Sequence, residues 1–336
     1  MGGHFKNIFA SFIFVLAFVN IGCASTFANS YLEVSEVDVY SPSGAPDGLS
    51  GLAYAGGNRY LAVDDHGGRL FELFIDTNPE TGKIKGFKLG SCTVLKGGVD
   101  LESLAYDSKT GELWVSDERK QFIREYNSSG EPLREAPVDD IFKKTRYLMG
   151  FESLAMNSAA TELWTANEEA LRVDGALASR TNGSLVRLVK YVRQSTNENW
   201  SVGAMYPYFT DPLAGANFRG VQRSGLTDMC VLDDGSLLVL EREFSRVGLV
   251  PRFRLRLYRV VVDGATDVKD LKGLIGKEYV VASKELLYET KGFAMYEGMA
   301  LGPKLSDGSR LMLVVSDANE GGLIRFLSLK ISTKKP

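Results

Sequence analysis

The chain contains short apolar runs separated by polar turns, and the clearest example lies near residue 100. Residues 101–106 (Leu-Glu-Ser-Leu-Ala-Tyr) form one run. Residues 113–117 form a second run, which ends at Asp117 and is followed by Glu118. The six residues between them, 107–112, are polar and include Gly111, which is typical of a turn. The pattern predicts a β-hairpin with carboxylates gathered at one end.

The same hairpin pattern occurs five times along the chain. In the first four copies, the small residue of the first run lies 12 residues before the last residue of the second run. The fifth copy is longer because residues 303–310 widen its turn. Repetition of one hairpin favours a repeat architecture over a β-sandwich. The first runs of the five copies begin at Leu49, Leu101, Phe151, Leu226 and Tyr296.

Each predicted hairpin is followed by one or two further alternating strands. Units of about 50 residues with four antiparallel strands predict an all-β fold, a single β-propeller. Five blades can be counted directly, and the longer steps before the last two copies leave room for a sixth. Residues 31–40 also alternate and would supply the outer strand of the last blade, which removes a free sheet edge. The predicted propeller domain covers residues 31–332.

The start of each first strand and the end of each second strand are expected to meet at one end of the propeller channel. A regular hairpin register pairs Leu101 with Asp117 and Glu102 with Ser116, and it pairs Glu297 with Ser316. The five copies would therefore bring their polar ends together in one acidic ring. Its predicted members are Asp65, Glu102, Asp117, Glu118, Glu152, Asn167, Glu168, Glu241, Glu297, Asp317 and Asn319.

So many carboxylates cannot all stay ionised and unpaired in a narrow, partly desolvated channel mouth. Either arginines pair with them at the strand ends, with Arg69, Arg119 and Arg242 nearest in sequence, or a cation binds there. Oxygen ligands with almost no histidine or cysteine favour Ca²⁺ over Zn²⁺. The predicted metal ligands are Glu102, Asp117, Glu152, Glu241, Glu297, Asp317 and Asn319.

Composition excludes several other kinds of function. The 336 residues carry a formal net charge of −3, which argues against general nucleic-acid binding. His66 is the only histidine after His4, so a Ser-His-Asp triad has one possible base, and His66 is more simply a turn residue before two glycines. The chain has no G-x-S-x-G elbow, no P-loop and no dinucleotide-binding fingerprint.

The first 28 residues predict a targeting signal. Residues 8–21 form an almost continuous apolar run after His4 and Lys6, too short to predict a membrane span but typical of a signal peptide. Cleavage after Ala28 is one possibility, and a lipoprotein signal with an acylated Cys23 is the other. We therefore expect a secreted or periplasmic protein, or one held in the cell envelope by a lipid.

Cys230 occupies the position of an alanine in other copies of the hairpin, so a small buried residue is expected there.

The motifs resemble those of the esterase-like activity of phytase family, which comprises secreted bacterial propellers. The resemblance spans residues 45–330 and is most specific at residues 297–319, which begin Glu-Gly-Met-Ala-Leu-Gly-Pro, and at Leu240-Glu241-Arg242. Tyr296 stands where this family is expected to have asparagine. The resemblance implies a β-propeller and the hydrolysis of phosphate or other esters.

The leading hypothesis is a Ca²⁺-dependent ester hydrolase, most simply a phosphomonoesterase of the phytase type that acts on a small anionic ester. Glu118 or Glu168 would accept a proton, and Arg69, Arg119 and Arg242 would bind the substrate. Two alternatives remain open: a non-enzymatic cell-envelope binding propeller with a structural cation, and a metal-dependent lactonase. We expect a monomer that contacts no nucleic acid and reaches a membrane only through a lipid at Cys23.

Overall fold

Five four-stranded antiparallel sheets surround a central channel and form a β-propeller. A computed structural model describes residues 31–146, 150–215, 222–247, 250–318 and 323–334. The predicted fold class is confirmed, with five blades in these residues and no sixth. The predicted signal peptide, Cys23 and Asn319 lie outside the described residues.

Each blade runs from an inner strand at the channel to an outer strand at the rim. The first strand in the chain is β1 (Tyr31–Tyr40). Blade one comprises β2 (Leu49–Tyr54), β3 (Arg59–Asp64), β4 (Arg69–Thr77) and β5 (Ile84–Val94). Blade two comprises β6 (Leu101–Asp107), β7 (Glu112–Asp117), β8 (Phe122–Tyr126) and β9 (Pro132–Glu135). Blade three comprises β10 (Phe151–Met156), β11 (Glu162–Asn167), β12 (Leu185–Val192) and β13 (Ser201–Phe209). Blade four comprises β14 (Arg223–Val231), β15 (Leu237–Val247), β16 (Val250–Val261) and β17 (Ser283–Gly292). Blade five comprises β18 (Met295–Lys304), β19 (Arg310–Asp317), β20 (Phe326–Lys334) and β1.

The two ends of the chain close the ring in the last blade. β1 pairs antiparallel with β20, from Tyr31 opposite Lys334 to Tyr40 opposite Phe326. This confirms the prediction that residues 31–40 supply the missing outer strand. In the described part of the chain the only helix is a 3₁₀ turn at Asp140–Lys144, and no described helix is long and apolar enough to cross a membrane.

The apolar core lies between neighbouring blades. Leu61 and Val63 of blade one, for example, belong to one buried cluster with Leu113 and Phe122 of blade two. All six residues of β7 are buried, because both faces of this strand pack against adjacent blades. Stacking of the blades therefore fixes where the ends of the inner strands lie relative to one another. Cys230 is buried as predicted, and Cys92 is exposed and free.

Every inner strand contains a β-bulge at the same position of the repeat. Leu101 pairs with Asp117 as predicted, but Ser116 pairs with Ser103, and Glu102 has no pairing partner. In blade five, Tyr296 pairs with Ser316 and Glu297 is the extra residue. The predicted pairs Glu102–Ser116 and Glu297–Ser316 are therefore wrong by one residue, because a regular register allows no insertion. The residues at the five bulges are Ser50, Glu102, Glu152, Thr227 and Glu297.

Candidate metal centre

The five bulges place one polar residue per blade at the same end of the channel. A bulge redirects its side chain and is common beside functional sites. Three of the bulge residues are the glutamates Glu102, Glu152 and Glu297, and each is at least nine-tenths buried. The other two, Ser50 and Thr227, are smaller, so the ring of five positions has room for the three glutamates.

A second tier of charged residues lies at one matching position at or beyond the end of the paired stretch in the second strand of each blade. Glu118 and Glu168 come directly after β7 and β11, and Arg242 holds the matching position in β15. Each glutamate leans over the next blade: Gly150 donates its N–H to Glu118 Oε1 at 3.1 Å. A Cβ at Gly225 would lie 2.5 Å from Cγ of Glu168, so glycine is required where Glu168 crosses. The second tier consists of Asp65, Glu118, Glu168, Arg242 and Asp317.

Two groups of three buried carboxylates meet at Glu118. The first contains Asp100, Glu102 and Glu118, and the second contains Glu118, Glu152 and Glu168. Within each group, one oxygen of every carboxylate lies within 4.8 Å of the others. Glu118 is thus the carboxylate that both groups share.

Burial and mutual repulsion raise the pKa of the carboxyl groups in this cluster. The pKa of Glu102 is raised well above its usual value by burial, then by Glu297 and Glu118. The pKa of Glu152 is likewise raised, chiefly by burial and next by the charge of Glu102. Burial and the nearby Glu168 raise the pKa of Glu118 to about 8. Without a bound cation, the cluster must therefore retain protons at neutral pH.

Arg242 supplies the positive charge closest to the cluster. Its Nη2 donates to Glu168 Oε1 at 2.8 Å, and its Nη1 pairs with Glu297. Even with this partner, burial raises the pKa of Glu297 to about 8. One guanidinium is therefore insufficient for the glutamates around it.

Asp228 follows the bulge residue Thr227 in β14 and makes hydrogen bonds to two other blades. Its Oδ1 accepts from Ser103 Oγ at 2.9 Å, and its Oδ2 accepts from the backbone N–H of Met299 at 2.6 Å. Burial raises the pKa of Asp228 to about 8. The corresponding positions of the other blades are Gly51, Ser103, Ser153 and Gly298. Sequence reasoning missed this residue, although it is the only charged member of an otherwise small-residue layer.

Several residues predicted for the site have other partners in the structure. Asp117 is fully buried and accepts from the N–H groups of Val99 at 2.8 Å and Lys120 at 2.7 Å. Glu241 accepts from the Tyr208 hydroxyl at 2.5 Å and from Lys284 Nζ at 2.7 Å. Neither belongs to the two carboxylate groups.

The remaining predicted residues lie at the edge of the cluster. Arg69 donates from Nε to Asp64 Oδ2 at 2.6 Å, so its guanidinium braces a loop of blade one. Arg119 pairs with Asp100 at 3.2 Å and is half exposed. Asp317 is buried, and its pKa is raised chiefly by burial. His66 lies in a turn with Nδ1 2.8 Å from Asp65 Oδ1.

The donor set fits a hard divalent cation. All the clustered donors are oxygens, which suits Ca²⁺ better than Zn²⁺. Three hydroxyl oxygens on the same inner strands, Ser153 Oγ, Ser224 Oγ and Thr227 Oγ1, are buried without a hydrogen-bond partner among the described residues. Buried polar atoms are normally paired, so these orphaned oxygens are consistent with a bound ion or water in the channel.

A family model matches residues 46–320 of the chain. The chain belongs to the phytase-like family. That family is described as having the esterase-like activity of phytase, and the resemblance in the sequence motifs is thereby confirmed. No curated protein matches this phytase-like chain.

Several solved structures resemble this chain at low sequence identity. An aldose sugar dehydrogenase from Streptomyces coelicolor is 12% identical over 90% of this chain and 99% of that one, with a TM-score of 0.42. A streptogramin B lyase is 13% identical over 91% of this chain and 98% of that one, with a TM-score of 0.34. A luciferin-regenerating enzyme is 13% identical over 88% and 95%, with a TM-score of 0.39. Likeness at this level carries no argument about the activity of the phytase-like chain.

Proposed function

We propose that this protein is a divalent-cation-dependent ester hydrolase, with Ca²⁺ as the expected cation. The observation that carries the proposal is the sharing of Glu118 by two groups of buried carboxylates. Keeping these groups buried together is costly without a counter-charge. The family description, which names an esterase-like activity, supports hydrolysis as the reaction class.

Glu102, Glu118 and Glu152 are the residues that would hold the cation. All three are buried, and Glu118 has an oxygen within 4.8 Å of one of Glu102 in the first group and of one of Glu152 in the second. When bound, the cation would attract an anionic substrate and polarise its ester bond. The fixed β-strands then keep the three carboxylates in place during the reaction.

Glu168 is the better of the two predicted proton acceptors. Its carboxyl group is buried next to Arg242 and also lines a cavity beside the cluster. Burial raises its pKa, which brings a carboxylate closer to the range suited to proton transfer near neutral pH. Glu118, by contrast, lies between the two carboxylate groups, so we assign it to cation binding.

Arg242 would stabilise the negative charge that develops on the ester during attack. It lines the same cavity and lies against Glu168. A guanidinium donates two parallel hydrogen bonds to carboxylate or phosphate oxygens. Arg119, half exposed beside Asp100, is the second candidate for substrate binding, whereas Arg69 is occupied by Asp64.

The proposal is tested by assaying the purified protein against a nitrophenyl phosphate, a nitrophenyl carboxyl ester and a lactone. Each substrate is measured with excess chelator and with Ca²⁺. Glu118→Gln should abolish the Ca²⁺-dependent rate, since it removes the shared carboxylate. Glu131→Gln makes the same change at a partly exposed residue of blade two and should leave the rate unchanged.

Ca²⁺-dependent turnover of any ester by the wild type, lost in Glu118→Gln alone, would support the proposal. Turnover of the lactone alone would favour a lactonase. Ca²⁺ binding without turnover of any of the three substrates would contradict hydrolysis and favour a non-enzymatic binding propeller.

A further inference from the structure

A cavity opens beside the carboxylate cluster, between blades four and five. Its volume is about 680 Å³, within the usual range for pockets that bind small organic molecules. Glu168, Arg242 and Asp317 form the wall nearest the cluster. A molecule in this cavity would therefore touch the second tier of charged residues directly.

A second wall of the cavity is apolar and largely aromatic. Phe244 and Phe253 come from β15 and β16, with ring centroids 5.5 Å apart. Phe293 and Leu323 complete this wall and are 60% and 65% exposed. Large apolar side chains gathered in an open cavity mark a binding surface more often than a structural one.

Four arginines also reach the cavity, and two of them have no ion-pair partner among the described residues. Arg223 pairs with Glu169, and Arg242 pairs with Glu168 and Glu297. Arg246 and Arg325 line the cavity without an acidic partner in the described part of the chain. The Arg246 guanidinium lies 6.0 Å from the centre of the Phe244 ring. Positive charge beside aromatic rings is complementary to an aromatic anion.

We propose that this cavity binds a small organic acid in which an aromatic body carries one anionic group. The body would pack against Phe244, Phe253 and Phe293. The anionic group would pair with Arg246 and Arg325. That this acid forms part of the substrate rests on the proposed hydrolase function. Its binding in the cavity does not depend on that function.

Calorimetry in the presence of chelator tests the binding without any hydrolysis. The probes are 2-naphthoate, its neutral analogue 2-naphthamide, and inorganic phosphate. We expect naphthoate to bind about tenfold more tightly than the amide, since charge-assisted hydrogen bonds are lost with the charge. Phosphate alone should give no measurable binding, because it makes no apolar contact.

Variants identify the cavity as the place of binding. Arg246→Gln combined with Arg325→Gln should reduce naphthoate affinity to that of the amide. Phe293→Ala should weaken both aromatic probes about tenfold. Phe209→Ala truncates an exposed phenylalanine of blade three and should change neither.

Equal binding of naphthoate and naphthamide would overturn the proposal, as would an equal loss of affinity in Phe209→Ala and Phe293→Ala. Absence of naphthoate binding would overturn it as well. Absence of ester turnover in a protein that binds naphthoate would count against the proposed hydrolase alone.

Discussion

Replacing Glu118 by glutamine should stabilise the metal-free protein and remove its response to Ca²⁺. Glu118 is 8% exposed, and burial with the neighbouring Glu168 raises its pKa from 4.5 to about 8. At neutral pH the folded protein keeps this proton, whereas the unfolded chain releases it. Glutamine is uncharged in both states, so this cost disappears.

The magnitude follows from proton linkage. A carboxyl group with a raised pKa in the folded state costs nothing below its unfolded pKa, and its cost grows until the pH reaches the folded pKa. At pH 7 the difference from 4.5 corresponds to about 3 kcal/mol, an upper bound because its neighbours share the same protons. We expect Glu118→Gln to raise the free energy of unfolding by about 1–3 kcal/mol in chelator.

Excess Ca²⁺ should reverse the order of the two proteins. A ligand at a hundredfold excess over its Kd stabilises the folded state by about 2.7 kcal/mol, and only the wild type should gain this. Urea unfolding followed by tryptophan fluorescence measures both conditions. A variant that is less stable than wild type in chelator, or that gains as much stability from Ca²⁺, would refute the reasoning.

Three further predictions concern pH, the channel and one glycine. In chelator, stability should fall as pH rises towards about 8, the raised pKa of both Glu118 and Glu297. The increase in Tm caused by Ca²⁺ should accordingly be larger at about pH 8 than at about pH 5.5, and equal increases would contradict this. Asp228→Asn should raise the free energy of unfolding at pH 7 by about 1–3 kcal/mol, because burial raises the pKa of Asp228 to about 8 and the amide needs no proton; a variant that unfolds at a lower urea concentration than wild type would contradict this. Gly225→Ala should impair ester hydrolysis by displacing Glu168. The control Gly86→Ala should not, because its added Cβ would come no closer than 3.7 Å to Asp76. Equal rates for the two variants would refute the requirement for glycine at position 225.

The sequence was sufficient to predict the architecture and the end of the channel at which the acids meet. Repetition of one hairpin identified the blades, and the alternation in residues 31–40 identified the strand that closes the ring. Both features depend on local pattern, which a sequence displays directly.

The detailed membership of the cluster could not be predicted from spacing alone. The register assumed regular pairing, and the bulge at Glu102 shifts every later pair by one residue. Asp117 and Glu241 accept hydrogen bonds from backbone and side-chain donors outside the cluster, which spacing alone does not reveal. Asp228 was overlooked because its cross-channel partners, Ser103 and Met299, lie in other blades far along the chain.

Calcium titration calorimetry of the chelator-treated protein tests the central claim most directly. If the buried carboxylates hold the cation, Ca²⁺ must displace their protons, so the observed heat should depend on the ionisation enthalpy of the buffer. We predict binding with proton release for the wild type and for Glu131→Gln, and no binding for Glu118→Gln. Absence of binding to the wild type, or unchanged binding to Glu118→Gln, would contradict the assignment of the cluster as a cation site.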